Sequence, residues 1–196
     1  MASTQKVAII TGGASGMGYA VSQALTSRGD WDVHIFDMNQ DSGHKAATEL
    51  GATFHQVNVT DYDSLAGAFK TVFDKGHRLD FVHANAGIIE RGNFYEDTGD
   101  EPPAALPSIV MDINVMAVIH TSQLAQHYFR RTPKDGLGPR SLVITASCGG
   151  FYAVPASPVY GASKHAMIGW TRSIAGRLWR NDGIRVNVSF SGSRYM

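Results

Sequence analysis

The sequence predicts an α/β fold: a doubly wound parallel sheet of about six strands with helices on both faces. Three observations carry that reading. Short apolar runs alternate with longer helical stretches along the chain. Several of the helical stretches end on a glycine. Glycine outnumbers proline 21 to 7, which suits tight backbone approaches rather than disorder. Strand–helix alternation calls for parallel pairing through right-handed crossovers, which bury the sheet on both sides.

The elements follow in order. Val7–Ile10 is a continuous β-type run ended by Thr11-Gly12-Gly13, and 18–28 reads as a helix closed by Gly29. Val33–Phe36 is a second strand that stops at Asp37. A helix over 41–50 closes at Gly51, a residue suited to a left-handed cap. Phe54–Val59 is a third strand, and 61–75 a helix stopped by Gly76. Leu79–His83 is a fourth strand. A polar stretch, 90–100, and Pro102-Pro103 precede a long helix reaching about Arg131. The segment 131–140 is a surface loop, 141–145 a fifth strand, 159–179 a helix and 184–188 a sixth strand.

The 196 residues fit a single domain, 1–196, large enough to bury a core without staples. Lys plus Arg and Asp plus Glu both number 17, so no net charge argues for nucleic acid or an anionic membrane. Cys148, the single cysteine, excludes a disulfide framework and a Cys-rich zinc site. No apolar run reaches the roughly 18 residues of a membrane span. The N-terminus meets a strand at once, without a secretory apolar region, which points to the cytoplasm. His120 and His127 share a helical face but lie about 10.5 Å apart at 1.5 Å per residue, too far for one ion. No metal site is expected.

Strand one runs into Thr11-Gly12-Gly13-Ala14-Ser15-Gly16-Met17-Gly18. A tight turn followed directly by a helix N-terminus presents backbone N–H groups and the helix dipole to an anion such as a pyrophosphate. Asp37 lies 19 residues past Gly18, at the end of the second strand. A carboxylate there accepts hydrogen bonds from an adenosine ribose and repels a 2′-phosphate. Ala14-Ser15 and Met38-Asn39 offer no cation to neutralise such a phosphate. NAD is therefore favoured over NADP. The bland alternatives are a ligand-free glycine turn and an aspartate that merely starts a turn.

Tyr160 and Lys164 stand at i and i+4, on one helical face. Alone this pair says little. Ser147 ends strand five, 13 residues earlier, where ligand sites form in open α/β sheets. Glycine loop, acid, Ser, Tyr and Lys then succeed one another in a consistent strand–helix order.

With these segments, and with Asn58-Val-Thr-Asp61, Ala84-Asn-Ala-Gly87, Asn114 and Arg185-Val-Asn187, the sequence resembles the short-chain dehydrogenase/reductase family over essentially its whole length. The stretch Val159–Ser173 is most similar to its NAD-dependent 15-hydroxyprostaglandin dehydrogenase group. The resemblance implies a Rossmann-type fold and an NAD(H)-dependent oxidoreductase acting on a lipophilic secondary alcohol or ketone. It implies Tyr160 as general acid/base, Lys164 as the nearby positive charge and ribose contact, and Ser147 as the hydrogen-bond partner of the substrate oxygen. It implies Asn114 as the anchor of a proton-relay water. Gly12, Ser15, Gly16, Met17 and Gly18 would hold the pyrophosphate, Asp37 the ribose and Asp61 the adenine edge. Asn85, Ala86 and Gly87 would line the cofactor channel. The 159–179 helix and the long helix before it would form the contact of a homodimer or homotetramer.

Two departures from the family pattern stand out. Ala84 replaces the first Asn of Asn-Asn-Ala-Gly, and Ser191-Gly192 replaces Pro-Gly shortly before the chain ends at Met196. Family members usually continue for about 50 residues into a substrate lid and a seventh strand. The expected alternatives are thus a weakly active or inactive NAD-binding protein, or a truncated product of a longer dehydrogenase.

Overall fold

A computed structural model describes residues 5–135 and 138–191; the Ser191-Gly192 departure lies partly, and the final residues wholly, outside them. The strands are β1 (Lys6–Thr11), β2 (Trp31–Asp37), β3 (Thr53–Gln56), β4 (Phe81–Ala84), β5 (Ser141–Ser147) and β6 (Arg185–Ser191). They form a parallel six-stranded sheet in the order β3-β2-β1-β4-β5-β6 among the described residues. The helices are α1 (Gly16–Thr26), α2 (Gln40–Leu50), α3 (Tyr62–Gly76), α4 (Ile109–Met111), α5 (Ala117–Phe129) and α6 (Pro158–Asp182). A π-helical stretch, Asp112–Met116, joins α4 to α5, and a 3₁₀ turn, Cys148–Gly150, follows β5.

The period-2 alternation of strand side chains assigns each residue to one layer. Ala8, Ile10 and Val33 meet Val21 and Leu25 of α1, while Ile35 meets Ala46 of α2. On the opposite face Ile9, Phe36, Val82 and Ile144 pack with Leu65 and Phe69 of α3, Leu124 of α5 and Met167 of α6. Buried on both faces, such a strand reads as a continuous apolar run, which is why Val7–Ile10 of β1 stands out in the sequence, while β2 carries a buried His34 among its apolar residues.

Several boundaries differ from the sequence expectation. The helix α3 is closed by His77, in a left-handed conformation at φ 50°, and not by Gly76. The strand β3 ends at Gln56, opposite the last residue of β2. Val57 and Val59 are nonetheless buried in the core, so their alternation marks packing beyond the ladder. β4 starts at Phe81 because Leu79 is engaged by Thr132, whose hydroxyl accepts from its N–H and donates to its C=O, both at 2.9 Å. The helix expected after Pro102-Pro103 begins only at Ile109. Gly51 and Gly183 are left-handed caps at φ 67° and 65°.

Candidate active site

In the strand order, β1 and β4 are neighbours whose chains leave toward opposite faces. A crevice opens there beyond the carboxyl ends of the strands. The glycine loop enters it from β1. Gly12 and Gly16 adopt φ 63° and 53°. A Cβ on Gly18 would lie 2.2 Å from the Gly12 carbonyl oxygen, so only glycine lets α1 sit this close to the loop. Gly18 is buried, while Ser15, Gly16 and Met17 are exposed at the tip.

The helix α1 lacks its own cap: the Ser15 side chain makes no capping bond and the first turn holds no acid. By contrast, Asn39 caps α2 through Ser42 N–H, and Asp61 caps α3 through the N–H groups of Asp63 and Ser64. An open N-terminus, with a cradle that a Cβ would fill, fits a dinucleotide pyrophosphate.

Asp37 ends β2 beside this loop. Its carboxylate accepts from Ala14 N–H at 3.2 Å and from Asn39 N–H at 3.0 Å. The acid therefore both starts the turn into α2 and ties that turn to the glycine loop. Asp61 is exposed and, as the cap of α3, uses Oδ1 for both bonds.

Asn85 faces inward from the end of β4. Its Nδ2 donates to the carbonyls of Thr11 (3.1 Å) and Gly12 (3.2 Å), and its Oδ1 accepts from Thr145 Oγ1 (3.1 Å). The Thr11 hydroxyl accepts from the N–H groups of Asn85 and Ala86. Asn85 thus fastens the glycine loop from below; its NH2 group is spent on backbone and its Oδ1 on Thr145. Ala84, in the departed position, is buried in β4 opposite Ile144.

Ser147 closes β5 and is buried, its hydroxyl donating to Ser191 O (3.3 Å) and accepting from Gly149 N–H (3.1 Å). A Cβ on Gly149 would lie 3.5 Å from Ser147 Oγ and 3.7 Å from Tyr160 Cε1. The two hydroxyl-bearing side chains therefore both border Gly149, where Val154 packs closest, its Cγ2 2.6 Å from the same Cβ position.

Lys164, one turn after Tyr160, is 4% exposed. Its Nζ donates to Thr145 O at 3.0 Å and lies 5.6 Å from the Tyr160 ring centre. Burial lowers its pKa to about 8. A Cβ on Gly87 would meet Asn114 Oδ1 at 3.2 Å and Lys164 Nζ at 3.4 Å, so both polar groups converge on that peptide. Asn114, fully buried in the π stretch, accepts from Ile88 N–H and donates to Ile88 O, both at 2.8 Å, and donates to Ser163 Oγ at 3.0 Å.

Sequence reading missed Glu90, whose carboxylate accepts from Val159 N–H (3.0 Å) and from Tyr160 N–H. No local motif marks it, because its partners lie about 70 residues away. A cavity of about 940 Å³ adjoins the site, walled by Ile88, Glu90, Phe94, Leu106, Val110 and Val159 among others. Neither Ser147 nor Tyr160 lines it. Among the described residues, no group of three or more His, Cys, Asp or Glu could hold a metal. His165 is turned outward, with Nδ1 2.9 Å from Gly161 O.

The profile of the short chain dehydrogenases matches residues 6–193. The chain belongs to the short-chain dehydrogenase family. Among curated family members, it is 46% identical over 185 residues to the short-chain dehydrogenase/reductase prx7 of Penicillium rubens, covering 90% of this chain and 64% of that protein. It is 34% identical over 197 residues to 15-hydroxyprostaglandin dehydrogenase [NAD(+)] of Rattus norvegicus, covering 95% and 67%. A crystal structure of a short-chain type dehydrogenase/reductase from Mycobacterium marinum superposes with a TM-score of 0.80 at 25% identity, covering 95% of this chain and 74% of that one. This short-chain dehydrogenase chain thus spans under two thirds of prx7, and the doubly wound Rossmann sheet is the family's fold. No helix among the described residues is long and apolar enough to cross a membrane.

Proposed function

We propose that the protein is an NAD(H)-dependent oxidoreductase interconverting a secondary alcohol and its ketone, with Tyr160 as general acid/base. The observation that carries the reading is that Ser147 and Tyr160 both border Gly149, with Lys164 buried one helical turn on. Gly12, Ser15, Gly16, Met17 and Gly18 hold the dinucleotide pyrophosphate, and Asp37 holds the adenosine ribose and disfavours NADP. Asp61 stands at the adenine end, and Asn85, Ala86 and Gly87 form the channel wall. Bound there, the nicotinamide supplies the two-electron hydride chemistry.

In the oxidative direction, the Tyr160 phenolate takes the hydroxyl proton of the alcohol at Oη. A free phenol has a pKa near 10, and the Lys164 ammonium stabilises the phenolate so that it forms nearer neutrality. Ser147 Oγ donates a hydrogen bond to the substrate oxygen and sets its orientation. Asn114 holds the Ile88 backbone beside Lys164, where a relay water returns the proton to solvent. The neighbouring cavity, with its isoleucine, phenylalanine and leucine walls, supports a lipophilic substrate. The reading extends to a cytoplasmic homodimer or homotetramer joined through α5 and α6.

The experiment is a panel of secondary alcohols, including prostanoids and steroids, offered with NAD or NADP and followed by nicotinamide absorbance. The parent protein turns over with NAD, and Tyr160→Phe loses turnover while NADH binding persists. Retained turnover in Tyr160→Phe overturns the role of Tyr160, and a preference for NADP overturns the cofactor assignment.

A further inference from the structure

We infer that Glu90 is a positioning residue for Tyr160, an inference that rests on the proton-transfer role proposed for that tyrosine. The first turn of α6 has unmet donors. Its N-cap, Ser157, makes no side-chain capping bond, and Pro158 has no N–H to offer. The next two N–H groups, of Val159 and Tyr160, both point at the Glu90 carboxylate, Val159 at 3.0 Å from Oε1 and Tyr160 on Oε2. A carboxylate at a helix N-terminus answers both the open donors and the positive end of the dipole. In α2 and α3 that task falls to the residue immediately before the helix, Asn39 or Asp61. In α6 it is delegated to another segment of the fold.

Delegation ties Tyr160 to the segment that also carries Asn114's partner. Two residues before Glu90, Ile88 is held through both its N–H and its C=O by the Asn114 amide. The same amide donates to Ser163 Oγ, and Ser163 Oγ donates to Tyr160 O at 2.7 Å. The N–H of Tyr160 is thus anchored by Glu90 and its C=O, through Ser163, by Asn114. The ring of bonds runs Tyr160, Glu90, Ile88, Asn114, Ser163 and back to Tyr160. Asn114 and Ser163 are fully buried, so this closure sits where water competes least for the bonds. Glu90 touches none of the reacting atoms; it fixes the backbone from which the phenol projects toward Ser147 and Lys164.

Two measurements on Glu90→Ala and Glu90→Gln test this. Amide hydrogen exchange of the cofactor-free protein reads the clamp without any turnover. Protection of Val159 and Tyr160 is lost in Glu90→Ala and retained in part in Glu90→Gln, which keeps one acceptor oxygen. Exchange equal to the parent in both variants overturns the clamp. Steady-state kinetics read the consequence: kcat falls about 10- to 100-fold in Glu90→Ala, with the dissociation constant for NADH within about twofold of the parent. Glu90→Gln falls between, and it carries the comparison if Glu90→Ala does not fold. A lowered melting temperature with kcat intact would reduce Glu90 to a structural cap and overturn positioning. A parent protein inactive on every alcohol would sink the dehydrogenase reading, while the exchange result would still decide the clamp.

Discussion

Asn114 grips the peptide groups of Ile88 from both sides, accepting from its N–H and donating to its C=O at 2.8 Å each. That pair joins the π stretch before α5 to the chain leaving β4, two segments that together wall the crevice. An i→i+5 stretch inside a helix commonly marks such a functional site. The first prediction follows directly. Asn114→Leu keeps the volume but strips Ile88 and Ser163 of their partner, and the variant loses about 2 kcal/mol of stability together with most of its turnover. Urea unfolding and initial rates measure the two effects; a variant as stable as the parent would show that water replaces the amide.

Asp37 carries the second prediction. Its carboxylate receives Ala14 N–H and Asn39 N–H and stands beside the exposed loop tip. Asp37→Ala raises KM for NAD about 10- to 100-fold, as expected for losing a charge-assisted bond worth about 1.5–3 kcal/mol. The same change lowers the preference for NAD over NADP, because the repelling charge is gone. Unchanged KM values for both cofactors would place the ribose elsewhere.

Lys164 yields a prediction in which stability and activity part company. Burial holds its pKa at about 8, against about 10.4 unfolded. The folded protein therefore releases this proton first, and between pH 8 and 10.4 the unfolded chain binds more protons. Stability attributable to this group rises across that window, and below pH 8 the buried ammonium carries its full cost, of order 3 kcal/mol. Lys164→Met accordingly melts no lower than the parent at pH 7 and loses turnover; the melting difference shrinks as pH rises from 8 toward 10.4. A Lys164→Met protein that melts well below the parent at pH 7 would show that the bond to Thr145 O outweighs desolvation.

His83 sets an acid limit. It is buried in β4, with Nε2 on Thr145 Oγ1 at 2.9 Å and Nδ1 unpartnered among the described residues. Burial lowers its pKa to about 4. His55, which shares a 2.9 Å contact with His34, is also lowered to about 4, by burial first and then by its neighbours His34 and Lys75. Both values lie below the unfolded 6.5, so the stability they contribute is present above pH 6.5 and is lost as pH falls to about 4. His83→Val removes one of the two, and its melting temperature drops less than the parent's between pH 6.5 and 4. Parallel pH profiles in the two proteins would refute the assignment.

The amino-acid sequence by itself determined what depends on neighbours within one or two turns. The strand run 7–10 is apolar throughout because both faces are covered, and 33–36 departs from that only at His34, which is buried against His55. The glycine loop is legible because left-handed φ at Gly12 and Gly16 and the close approach at Gly18 each demand glycine locally. Tyr160 and Lys164 share a face by helical period alone. Where competing local rules met, the sequence reading erred: His77, not Gly76, took the left-handed cap of α3. What only the tertiary structure decided were bonds between groups distant along the chain. Asn85 turns its amide onto the glycine loop, Asn114 closes on Ile88, and Glu90 caps a helix about 70 residues downstream. Hydrogen bonds reach about 3 Å and leave no periodic trace in sequence. Such partners become visible once packing has brought their backbones together.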